Sequence, residues 1–155
     1  MLLRRVLGML VGVSMAGAIA AAQAADPMIG TWKLNVAKSQ TTNKSGTTVI
    51  EAVGNGVKAT VDMVGADGTA YHWTWTASYD GRDMPVTGNT PYGAGTASLT
   101  RVDARTVKIV GKVDGKVVVN QTITTSADGK TRTVVSTGTD AKGRPVESTA
   151  VYDKQ

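Results

Sequence analysis

From residue 31 onward, apolar and β-branched residues recur at every second position, with polar residues between them. Side chains alternate across a strand, so this period predicts half-buried strands and argues against amphipathic helices. The pattern runs through Thr31–Val36, Thr47–Val53, Val57–Val64, Thr69–Tyr79, Met84–Thr87, Ala97–Val102, Thr106–Val113, Lys116–Thr125, Thr131–Thr137 and Val146–Asp153. Hairpin dipeptides punctuate it: Asn55-Gly56, Asp67-Gly68, Asp80-Gly81, Asp114-Gly115 and Asp128-Gly129, with Lys142-Gly143 a softer turn. Short strands joined by tight turns predict an all-β fold, a single antiparallel up-and-down barrel of about 8–10 strands, because closing the sheet removes its exposed edges. The polar stretch AKSQTTNKSG, 37–46, reads as a loop at one barrel mouth.

The first residues follow a different rule. MLLRRVLGMLVGVSMAGAIAAAQAA places Arg4 and Arg5 ahead of an uncharged run from Val6 to Ala22, then the small-x-small site Ala22-Gln23-Ala24. This is the pattern of a signal peptide over residues 1–24, followed by one barrel domain over 25–155. It implies export, periplasmic or secreted, with no membrane span once the leader is removed. Loss of Arg4 and Arg5 would take two charges from a formal net charge of +5. The remaining Lys and Arg are scattered without a run of three, which reads as a solvated surface and argues against a nucleic-acid stripe. Cysteine is absent, so disulfides, thiol nucleophiles and Cys-ligated zinc are excluded. The expected state is a monomer.

Candidate chemistry concentrates in TAYHWTWTASY, 69–79. Alternation puts Tyr71, Trp73, Trp75 and Tyr79 on one face with Ala77, and His72, Thr74, Thr76 and Ser78 on the other. The aromatic face should point inward. It can line a pocket, since indole and phenol groups offer apolar faces and polar tips, or it can simply fill the barrel. Trp32 suits a plug at the barrel base. His72, the single histidine, lies on the polar face, where an exposed or loosely paired role fits best, and no nucleophile signature frames it. Asp67, Asp80, Asp114 and Asp128 each precede Gly, so the acidic residues read mostly as turn chemistry. YDGRDMPVTGNTPYGAG, 79–95, reads either as a lid over the mouth, with Arg82 available to an anionic group, or as an ordinary connection containing an edge strand.

GTWKL at 30–34 resembles the first strand of the calycin group, which includes lipocalins and fatty-acid-binding proteins. Gly30 and Trp32 match the lipocalin Gly-x-Trp position, which implies structural roles at the closed end. AVYDKQ at 150–155 is similar to the last strand of fatty-acid-binding proteins, which implies that Tyr152 contacts ligand. GTWKLNVAKS, YDGRDMPVTGN, ADGKT and AVYDKQ together resemble small exported bacterial lipocalin-like proteins. Departures accompany the resemblance. The carboxylate-binding Arg that precedes the last-strand Tyr by two residues is replaced by Ala150. No helix pair has a counterpart in 37–46, a Thr-Asp-Tyr turn is not evident, and Phe is absent.

The expected function is therefore a barrel that binds a small apolar or amphipathic molecule, with Tyr71, Trp73, Trp75, Tyr79, Tyr152 and Arg82 as candidate contacts. The alternative is a filled barrel with a structural or protein-interaction role in the cell envelope. No catalytic constellation, metal set or cofactor motif is visible, so no enzyme activity and no cofactor is expected.

Overall fold

A computed structural model gives the structure of residues 25–93 and 95–155. The signal peptide expected over 1–24 lies outside the described residues. The described residues form ten antiparallel strands: β1 (Gly30–Leu34), β2 (Ser45–Val53), β3 (Gly56–Val64), β4 (Ala70–Ser78), β5 (Met84–Asn89), β6 (Thr96–Arg101), β7 (Thr106–Val113), β8 (Lys116–Thr125), β9 (Thr131–Thr139) and β10 (Pro145–Lys154). Each pairs with its sequence neighbour, and β1 also pairs with β10 through Trp32↔Lys154 and Leu34↔Tyr152, which closes the barrel. The predicted all-β meander is what forms. Among the described residues no helix is long and apolar enough to cross a membrane.

The stretch expected to be a loop at 37–46 is more ordered than its polarity suggested. Val36–Lys38 make a 3-10 turn, with the Asn35 side chain accepting from the Lys38 N–H. Gln40 then bridges Thr149, and Ser45 and Gly46 already belong to β2. Asn55-Gly56 is likewise not the turn pair. Residues 54 and 55 turn, and Gly56 opens β3, where a Cβ would stand 2.1 Å from the Ala77 carbonyl oxygen. The glycine there serves a close backbone approach, which is a second use of Gly beside turns. The proposed edge strand at Met84 is also part of the closed ring, although thinly. β5 pairs with β4 from His72↔Asn89 to Trp75↔Val86 but meets β6 only at Met84↔Ala97 and Pro85↔Thr96. Past Pro85 it diverges, and the Val86 N–H goes to the Gly95 carbonyl instead.

Alternate residues point inward and build one core: Trp32, Leu34, Ile50, Val57, Ala59, Trp75, Ala77, Leu99, Val107, Ile109, Ile123, Val134 and Ala150 are all buried. The segment before β1 seals one end. Met28 is buried, and its carbonyl accepts a 3.0 Å bond from the Trp32 indole N–H. The fully buried Trp32 thus has its one polar group satisfied, as a core indole requires. Gly30 makes the bend possible. Its φ of +137° strains other residues, and a Cβ there would meet the Lys154 side chain at 2.6 Å.

Candidate functional site

The barrel is not completely filled. A cavity of about 90 Å³ lies along its interior, floored near Met28 and Arg132 and covered at the other end by Pro91 and Tyr92. At roughly 30 Å³ of liquid volume per water, that corresponds to about three waters. It is well below the ~300–1,000 Å³ of pockets for drug-sized molecules.

The walls divide by strand. Ile50, Ala59, Val61, Met63, Trp73 and Trp75 supply the side built by β2, β3 and β4. Gln121, Arg132, Ser136, Ser148 and Tyr152, interleaved with Ile123, Val134 and Ala150, supply the more polar side built by β8, β9 and β10. In the ring of ten strands β9 stands five places from β4 in either direction, so the polar wall faces the indoles across the barrel. Gln121 donates to the Ser136 hydroxyl at 3.0 Å. The Tyr92 phenol interacts with Ser136 from above, and burial raises it above its ordinary pKa.

Arg132 is the unusual member. It is 3% exposed, in a barrel interior where a charge costs several kcal/mol without a partner. Its Nε and Nη1 are buried with no hydrogen-bond partner among the described residues, and the same holds for the hydroxyl of Thr125, its cross-strand neighbour. No carboxylate among the described residues pairs with it. The guanidinium carbon sits 5.0 Å from the Trp32 ring centroid and 4.9 Å from that of Tyr152, so aromatic faces supply its electrostatic contacts. Burial pushes its pKa down to about 10, which leaves it cationic at neutral pH. A buried cation of this kind, lining a cavity, attracts anionic oxygen.

The sequence-nominated residues separate into those in the cavity and those outside it. Trp73, Trp75 and Tyr152 line it. Trp32 lies below it, under Arg132. Tyr71 shares their parity but passes close to Gly65 at the strand end and does not contribute to the lining. Tyr79 falls just beyond β4, where its hydroxyl donates to Asp26 and Arg101 stacks on its ring at 3.9 Å. Arg82 is 77% exposed on the β4–β5 connection and bonds to Asp80 at 2.8 Å, outside the cavity lining. Of residues 79–95, Pro91 and Tyr92 cover the cavity, and the Pro91 carbonyl is pinned to the Ala141 N–H at 3.1 Å. His72 is exposed and its Nδ1 meets Asp62 at 2.6 Å, outside the barrel.

Arg132 was missed because scattered basic residues read as a solvated surface. For this arginine that reading is overturned by its burial. The available signal was parity: Arg132, Val134 and Ser136 share one face of β9. The position two residues before Tyr152 is Ala150, as expected, yet register places Arg132 of β9 directly opposite Tyr152. No known family model and no curated protein matches the chain.

Proposed function

We propose that this protein is a binding barrel whose interior takes one small amphipathic molecule with an acidic group set against Arg132. The observation that carries the reading is the buried guanidinium with two unpartnered nitrogens in the wall of a cavity. A monoanion suits it better than a dianion. One negative charge cancels the buried positive one, whereas a second would itself be left desolvated and unpaired. The apolar wall from β2 to β4 takes the remainder of the molecule. The leader-like residues 1–24 and the likeness of the first and last strands to exported lipocalin-like proteins support a carrier or sensor outside the cytoplasm.

The test is calorimetric titration of the purified protein with hexanoate and benzoate, alongside Arg132→Met. Saturable one-to-one binding of either acid by the parent, lost in the variant, is the expected result. A folded parent that takes up neither acid, or a variant that binds as well as the parent, overturns the reading. Native mass spectrometry of gently purified protein adds the identity of any acid retained from the cell.

A further inference from the structure

Resting on that reading, we propose that the ligand is a flat ring acid: an aromatic monocarboxylate, preferably carrying a hydroxyl on its ring. Three features of the cavity point to this class.

The first is size. A cavity of about 90 Å³ favours a compact guest no larger than a single ring with its carboxylate. An acyl chain of a dozen carbons requires the walls to move.

The second is shape. Trp73 and Trp75 are two residues apart on β4, so their side chains project to the same face about 7 Å from each other along the strand. That spacing matches the length of a ring plus its carboxylate. Both indoles line the cavity on the wall opposite Arg132. Two neighbouring indoles offer aromatic surface to a planar guest, and offset or edge-to-face contacts with a π-system add to simple burial.

The third is the polar edge. The Ser136 hydroxyl accepts from Gln121 and also interacts with the Tyr92 phenol, so polar groups that can donate and accept gather at this point of the cavity. These groups lie four residues along β9 from Arg132, toward the mouth, where a carboxylate held by Arg132 would leave the far side of the ring. A ring hydroxyl there meets both a donor and an acceptor. An unsubstituted aliphatic tail gains nothing from them.

The experiment measures the affinities of four acids by titration of the purified protein: benzoate, 4-hydroxybenzoate, cyclohexanecarboxylate and octanoate. Benzoate and cyclohexanecarboxylate share charge and heavy-atom count, so their difference isolates the flat π-face. With contributions of the usual size from two indoles, benzoate should bind about tenfold tighter than cyclohexanecarboxylate or octanoate. 4-Hydroxybenzoate should bind tighter again, by about threefold to tenfold for one satisfied hydrogen bond. Ser136→Ala should abolish the preference for the hydroxyl, and Trp73→Leu should shrink the preference for the ring while keeping the dependence on Arg132. Octanoate or cyclohexanecarboxylate binding as tightly as benzoate overturns the ring acid and leaves the binding barrel standing. Failure of all four acids to bind the folded protein overturns both.

Discussion

Arg101 and Arg132 are both drawn against aromatic rings, yet their surroundings are opposite. Arg101 is part of a closed clasp below the core. Its Nη2 donates to Asp26 at 2.9 Å, its guanidinium lies over Tyr79, and Tyr79 donates to the same carboxylate. The Met28 N–H completes the set at 3.0 Å. Burial would raise the Asp26 carboxyl, but the bonds from Tyr79, Met28 and Arg101 together outweigh it and hold the group below its ordinary pKa. Burial and the Asp26 carboxylate in turn push the Tyr79 hydroxyl above its usual range. Arg132 has the rings without the carboxylate. A cation with its counter-charge inside the chain ties structure together; a cation whose counter-charge must come from elsewhere is a liability for folding and a handle for binding.

Trp32 should give the largest effect, because it underlies both ends of the contrast: it holds the Met28 carbonyl beside the clasp and supports Arg132 from below. Trp32→Ala should cost about 3–5 kcal/mol in urea-unfolding free energy, the usual range for deleting a buried indole. The same replacement at the two arginines should then differ in sign. Arg132→Met should raise the melting temperature by about 3–8 °C, equivalent to about 1–2 kcal/mol, by removing a buried unpaired charge. Arg101→Met should lower stability by about 1–2 kcal/mol, between the small worth of exposed ion pairs and the larger cost of breaking fully buried ones. Two changes of the same sign in scanning calorimetry would dissolve the contrast.

The smallest effect is its pH dependence. A carboxyl whose folded pKa lies below its unfolded value adds stability that is fully present above the unfolded value and is lost as pH falls through the folded one. Wild type should therefore lose the contribution of Asp26 below about pH 4, and Asp26→Asn should be less stable than wild type at pH 7 with a narrower gap at pH 3. A gap of equal size at both pH values would show that the charge on Asp26 is not what holds the clasp.

Much of this architecture was legible as pattern. Period-two alternation with Asp-Gly punctuation determines strands and turns locally, and β7 and β8 begin and end where that pattern does. The parity of Trp73 and Trp75 placed them on the inner face correctly. The cavity was less legible because it depends on pairing between distant strands. Arg132 alternates with Val134 and Ser136, while Val135 lies on the opposite face of β9 and ends up exposed. Each face carries one valine, so hydrophobicity alone does not say which points inward. Tyr79 shows the complementary difficulty. Its parity matches the indoles, but its partner, Asp26, lies in a segment before the first strand with no periodicity of its own.

The pairing of β1 with β10 has a consequence for how the molecule comes into being. Trp32 meets Lys154, and the Gln155 N–H reaches the Thr31 carbonyl at 2.9 Å, so the two ends of the folded chain are hydrogen-bonded to each other. No ring exists until β10 has emerged and paired with β1. Until then β1 and β9 each have an open edge, and unpaired edges invite association with other chains. Bringing such distant residues together carries a loop-closure cost that grows only slowly with length, but contacts of this sequence separation slow folding, toward milliseconds to seconds. Deleting β10 would thus remove the stave that closes the barrel, and with it the Tyr152 face on which Arg132 rests.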